Sequence, residues 1–378
     1  MALYYPSVKT LFHSQGGAPA QTALFSFTSY KFEYANDTGR HVDAEANQNW
    51  NQQSWYSNYF TYTDYTNQAG AHSFVIPATG TYTIRMKGAA GGQYVNTNPN
   101  ISQAYPGEGA YLEFDYPFTQ GDVIAFVLGR IGEAGSGGTG GGGGTYLFFR
   151  DSVTWQLTSG TQGHANAANN TGLIAVAGGG GGCGHGLAGN VTTHMGHGKG
   201  GSSTTDSNEV AANGTVAGLI TSGSAGNNGI GYGGATGSLS TTYGVGAGGG
   251  GWLGVGFSGN AGSGYSGYAL GGGRNYYYTT GTTHSSHPHL KWYGGDDSTN
   301  YPSDGGHGRG GAGGGRCCAG GGGGGYTGGG GSLTYSNGTW GSGAGGGSYV
   351  DSAATNVTKT AGADASSTST GGYFELIA

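Results

Sequence analysis

The sequence predicts a mainly β protein with almost no α-helix: a β-sandwich joined to a bundle of close-packed glycine rods, with a separate small β-rich module at the N-terminus. Glycine supplies 90 of 378 residues, where average usage of about 7% would give roughly 26. The chain also holds 27 Tyr, 13 Phe and 6 Trp, far too many aromatics for a solvating linker. No stretch sets apolar residues at helical spacing with a tolerable glycine content, whereas short alternating runs recur. Each Gly costs about 0.5–1 kcal/mol relative to Ala, so it is kept where backbone must lie and no Cβ would fit. Collagen is excluded, because Gly does not recur at every third position and there are only 8 Pro.

Residues 1–70 are aromatic and rich in Asn and Gln. Leu24 to Phe27 and Tyr30 to Tyr34 alternate, with a slip at Thr28 and Ser29, which predicts a bulged strand or two short strands. Trp50, Trp55, Tyr56, Tyr59, Phe60, Tyr62 and Tyr65 follow among polar residues. Exposed, they would form a sticky patch, so a contact with another chain or with the next zone is expected. Trp50, Trp55, Tyr56, Tyr59 and Phe60 are the expected anchoring residues of an assembly module. Residues 71–177 carry β-rich segments beginning at Phe74, Gly80, Ala110, Asp122, Tyr146 and Leu173, and read as the sandwich. The C-terminal strand within 371–378 has no local partner and is expected to return and close it.

Residues 178–350 hold glycine runs at 178–182, 248–251, 313–315, 320–325, 328–331 and 345–347; another run, 140–144, lies between sandwich strands. An extended helix with three residues per turn makes no hydrogen bonds within itself, so a buried one needs every N–H and C=O paired elsewhere. Only glycine lets neighbouring rods approach closely enough to pair. A lattice of rods follows, interrupted at greatest length by an insertion over 274–304.

These residues resemble a known family. Phe74 to Pro77, Gly80 to Tyr82 and Lys87 to Gly92 look like the opening of the glycine-rich ectodomain of the anaplastic lymphoma kinase and leukocyte tyrosine kinase receptors. The segments Gly121 to Gly129 with Gly132 and Glu133, Gly140 to Tyr146, Ala175 to Gly181 and Gly320 to Gly329 are similar and in order, over residues 73–378. The resemblance implies a jelly-roll-like sandwich joined to a bundle of polyglycine II helices. Related domains occur in tail-fibre and surface proteins of bacterial viruses, and phage tip adhesins similarly hold loops on polyglycine II stacks.

Charged residues are only 8% of the chain, with 13 basic and 19 acidic, so no basic patch suggests nucleic acid. No apolar run reaches the length of a membrane span, and the start from Met1 lacks the pattern of a signal peptide. At this glycine content G-x-G-x-x-G matches arise by chance and carry no weight. His284, His287 and His289, and the looser set His185, His194 and His197, read better as hydrogen-bonding loop residues than as metal ligands. Asp296, Asp297 and Asp304 are the acids that glycan cleavage would need, but turn-forming Asp is the commoner reading. Cys183 could pair with Cys317 or Cys318, or stay a buried thiol. No catalytic residue, cofactor or metal is expected.

The candidate binding residues are Tyr276, Tyr277, Tyr278, His284, His287, His289, Trp292, Tyr293 and Tyr301. Aromatic faces beside polar groups suit sugar rings or a protein hot spot; the competing reading is that they cap the glycine rods, and the resemblance favours a structural Trp292. The expected function is a virion structural or host-recognition protein on a virion or extracellular surface. Its expected partners are further copies of itself, other virion proteins and a host glycan or protein. A receptor-type ligand-binding module and a glycan-degrading enzyme are the alternatives.

Overall fold

The computed structural model describes residues 28–34, 49–50, 53–60, 71–94, 104–135, 138–150, 172–184, 197–205, 246–252, 256, 259–260, 268–269, 292, 294, 304–306, 308–313, 319–332, 341–364, 366–367 and 369–378. In chain order these form β1 (Ser29–Phe32), α1 (Tyr56–Tyr59), β2 (Ala71–Val75), β3 (Gly80–Lys87), β4 (Tyr111–Phe118), β5 (Val123–Val127), β6 (Thr145–Phe149), β7 (Leu173–Ala177), β8 (Gly259–Asn260), β9 (Tyr268–Ala269), β10 (Tyr349–Val350), β11 (Thr355–Thr360) and β12 (Tyr373–Ile377). An outer five-stranded sheet has the order β1-β12-β3-β4-β11, an inner one β10-β7-β6-β5-β2, and β8 pairs with β9. Both five-stranded sheets are antiparallel throughout. The described fold is mainly β, with one short helical turn among the described residues.

Alternation along β3, β4 and β12 turns Ile84, Met86, Leu112, Phe114, Phe374 and Leu376 towards the inner sheet, which answers with Phe74, Ile124, Phe126 and Leu147 in one core. Phe126 sits at its centre, with the rings of Phe32, Phe374 and Phe74 at 5.1, 5.3 and 6.1 Å. The inner sheet is covered on its other face too. There Tyr146, Phe148 and Val176 pack against Trp252, Trp292 and Tyr326. Burial on both faces is why β6 and β7 read as unbroken apolar runs and not as alternation. β12 lies between β1 and β3, so the C-terminus is woven into the outer sheet.

The described part of residues 1–70 joins the outer sheet and the core. β1 pairs with β12 over Ser29 to Phe32, and Phe32, Tyr34, Trp50, Trp55 and Phe60 belong to the core between the sheets. Large rings gain more by entering an open core margin than by staying in water. Tyr62 and Tyr65 lie outside the described residues.

Strands run directly on into glycine segments, and these bond to one another with a period of three. The amides of Gly321 and Gly324 donate to Thr139 and Gly142, those of Gly322 and Gly325 to Ala247 and Gly250, and those of Gly320 and Gly323 to Gly341 and Ala344. In each pair the acceptor advances by three when the donor does, so each side of the segment meets a different parallel neighbour. Its carbonyls accept from antiparallel neighbours: Gly321 and Gly324 from Gly182 and Gly179, Gly320 and Gly323 from Ser332 and Gly329. The approach is too close for side chains. A Cβ on Gly322 would stand 2.0 Å from the Gly329 carbonyl oxygen, and one on Gly323 would stand 2.2 Å from that of Gly179.

Candidate functional site

The glycine segments run between the sheets and a far end, where Gly140 bonds to Glu133, Thr139 to Cys183, Gly246 to Ser332 and Gly320 to Gly341. At this end the chain repeatedly leaves the described residues and returns. It leaves after Tyr94, Gly135, Gly184, Gly294, Gly313 and Ser332, and re-enters at Ala104, Gly138, His197, Asp304, Ala319 and Gly341. The stems are tied to the lattice: the Tyr94 amide donates to Cys183 Sγ at 3.2 Å, and the Asp304 carbonyl accepts from Glu133 at 2.8 Å. The described stems of interruptions distant in sequence therefore share one end of the glycine segments.

The insertion predicted over 274–304 is divided by this arrangement. Trp252 and Trp292, which flank the excursion 253–291, meet on the inner sheet with ring centroids 6.1 Å apart. The residues on either side of 295–303, Gly294 and Asp304, lie instead at the far end. Tyr276, Tyr277, Tyr278, His284, His287, His289, Tyr293 and Tyr301 lie outside the described residues. Trp292 departs from the expected binding set: it is 1% exposed, packed on Tyr146 at 4.8 Å and Phe148 at 5.8 Å, with the Arg309 guanidinium 5.0 Å above its ring. No face is left for a ligand. It covers the inner sheet.

Of the expected anchoring residues, Trp50, Trp55 and Phe60 are core, and Tyr56 and Tyr59 are half-buried against it. Asp304 is described, but Asp296 and Asp297 are not. His197 accepts the Tyr105 amide on Nδ1 at 3.1 Å and stacks on that ring; burial lowers its pKa, which favours the neutral ring. Cys183 is a free buried thiol. It donates to the Gly92 carbonyl, and burial pushes its pKa up to about 11, so it is a protonated packing group and no nucleophile. Cys317 and Cys318 lie outside the described residues. Among the described residues no group of three or more His, Cys, Asp or Glu is placed to hold a metal, and no helix is long and apolar enough to cross a membrane.

The outward face of the outer sheet was not singled out from sequence. It carries Arg85 between Glu113, at 3.1 Å, and Glu375, at 3.5 Å. Lys87 reaches Glu108 at 3.3 Å, and Lys31 lies 4.4 Å above the Tyr373 ring. Tyr111 donates to Glu113 at 2.5 Å; that bond, and next the Arg85 guanidinium, hold the Glu113 carboxyl below its usual range. Thr83 and Asn356 do the same for Asp115. Alternation in 80–87 and 111–118 places these residues on one face of each strand; which strand lies beside which is settled only by the fold.

A scan against protein-family models finds no match, and a search of curated proteins finds no similar protein.

Proposed function

We propose that this chain is a structural and recognition subunit of a virion or extracellular surface, such as a tail-fibre, tip or decoration protein, that presents loops on a stiff scaffold. The scaffold in this reading is a jelly-roll-like β-sandwich continued by a bundle of polyglycine II helices. The observation that carries it is the period-three bonding of 320–325 to neighbours on every side, which is the pairing such helices need. A segment of bare backbone enclosed by backbone offers nothing to a partner. Recognition then falls to the interruptions, whose stems gather at the far end. The partners in this reading are further copies of the chain, other virion proteins and a host-surface glycan or protein.

The test is adsorption. Labelled full-length protein is expected to bind its target cells or particles saturably and to be competed off by unlabelled protein. Replacing 185–196 and 295–303 by short Gly/Ser links should leave thermal unfolding in place and reduce adsorption at least about tenfold, the equivalent of about 1.4 kcal/mol. Folded protein that adsorbs to no cell or particle, or a loop-replaced variant that adsorbs as well as wild type, overturns the proposal.

A further inference from the structure

Charge is scarce in this chain, with 13 basic and 19 acidic residues in 378, yet one row of the outer sheet is made of it. The register sets Lys31 beside Glu375, Glu375 beside Arg85 and Arg85 beside Glu113. Read across β1, β12, β3 and β4, the row is plus, minus, plus, minus. The four side chains remain 44%, 21%, 39% and 36% exposed. The next row along the strands places Tyr373, Lys87 and Tyr111 side by side. Exposed pairs of this kind contribute little to stability, because water and salt screen them. Holding the fold together is therefore a weak reason for so regular a pattern.

An alternating row of even length has a further property: reversed, it is its own complement. Consider a second copy laid face to face on the sheet, about a twofold axis that runs parallel to the strands between β12 and β3. Lys31 then meets Glu113 of the second copy, and Glu375 meets its Arg85. In the neighbouring row Tyr373 meets Lys87, a cation over an aromatic ring. A twofold axis laid across the strands along this row would instead set each residue of the row against itself, Lys31 on Lys31, so the row favours the axis parallel to the strands. A twofold contact of this sort uses the same patch on both copies.

We propose that the outward face of the outer sheet is an interface between two copies of this chain, packed sheet to sheet about that axis. This deepens the self-association in the proposed function and rests on that reading. Strand spacing and rise give the face roughly 600 Å², below the roughly 800 Å² per partner of a standard stable interface. The association is accordingly weak and steeply salt-dependent, suited to subunits held at high local concentration.

Sedimentation of the full chain tests this. Wild type is expected to dimerise at an ionic strength of about 0.01 M, where charges act over about 30 Å, and to dissociate at about 1 M, where they act over about 3 Å. The double variant Arg85→Glu/Glu113→Arg keeps that cross-strand pair but makes the row plus, minus, minus, plus, so like charges meet across the axis. It should stay monomeric. The fourfold variant Lys31→Glu/Glu375→Lys/Arg85→Glu/Glu113→Lys inverts the row and keeps neighbours within the row opposite, at the loss of the Lys31–Glu33 pair beside it; it should dimerise with itself but not with wild type. Thermal unfolding confirms that each variant is folded. A wild type monomeric at low salt overturns the proposal, as does a folded inverted variant that fails to pair or that pairs with wild type. Dimerisation of the double variant equal to wild type places self-association on another surface: it overturns this interface and leaves the adsorption reading to its own test.

Discussion

Phe126 and Gly322 are both fully enclosed, but by different things. Around Phe126 stand the rings of Phe32, Phe74 and Phe374; around Gly322 stand the carbonyl of Gly329 and the amide of Gly249. The core between the sheets is held by apolar surface removed from water, roughly 25 cal/mol per Å². The glycine lattice buries almost no side chain, and is held by backbone groups that must each find a partner. The two regions should therefore fail in opposite ways. Taking atoms away harms the sheets; adding atoms harms the lattice.

The largest effect is expected for Gly322→Val. The first added carbon would lie 2.0 Å from a backbone oxygen, and backbone cannot swing aside as a long side chain can. Overpacking costs about 1–3 kcal/mol, and each buried amide that loses its partner costs about 1–3 kcal/mol more. A loss above about 5 kcal/mol is predicted in urea or thermal unfolding. Gly80, exposed at the start of β3 with only the Tyr82 ring at 3.8 Å, is the control: Gly80→Ala should change stability by less than about 1 kcal/mol, in the stabilising direction. A Gly322→Val protein that unfolds like wild type would end the distinction between the regions.

The reverse experiment comes next. Phe126→Ala should cost about 3–5 kcal/mol by leaving a cavity among the rings. Ala344, 1% exposed within the lattice, loses one methyl in Ala344→Gly, and about 1–2 kcal/mol covers both its burial and the added backbone freedom. If the lattice variant proves as damaging as the sheet variant, side chains matter there more than the bonding pattern implies.

Cys183 sharpens the comparison, since it is a side chain that the lattice does admit. Burial raises its thiol pKa from the ordinary 9.0 to about 11 in the fold. A raised pKa means that the folded state keeps its proton while the unfolded chain loses it. The contribution is fully present below about pH 9 and is lost as pH rises towards about 11. Two units correspond to about 2–3 kcal/mol. Tyrosines titrate in the same window, so the measurement is the difference between wild type and Cys183→Ala across it. A difference that does not change with pH would show that the thiol is open to water.

Much of the β structure was legible in the sequence, because alternation in 80–87 and 111–118 is a direct consequence of one dry and one wet face. The inner strands were legible for the opposite reason: 173–177 is apolar throughout and is followed directly by glycine. What the sequence left open was pairing. That Lys31, Glu375, Arg85 and Glu113 form one row depends on a C-terminal strand inserting beside an N-terminal one, and nothing local encodes that register. β10 and β11 were missed, the first for being two residues long and the second for being exposed at every position. Trp292 stood open between a binding and a structural role, because an aromatic beside polar neighbours looks alike at a ligand site and over a sheet. Only its burial on Tyr146 and Phe148 separates the two.

The smallest predicted effects lie at the edge of the outer sheet, where neither mode of enclosure applies. Every residue of β11 is exposed, and the register to β4 shifts between Thr355 and Thr358. Asn356 lies within that shift with φ at +52°, a left-handed conformation that Asn tolerates and β-branched residues do not. Its amide also donates to Asp115 at 2.7 Å, but the bond is in water and contributes little. Asn356→Gly should therefore fall within about 0.5 kcal/mol of wild type, the easier backbone offsetting the lost bond. Asn356→Val has no such relief and should cost about 1–2 kcal/mol through backbone strain alone. Finding both variants equal in thermal unfolding would mean that β11 gives way at its bulge without resistance. A loss in the glycine variant matching that in the valine variant would also put the energy of this edge in the Asp115 bond and not in the turn.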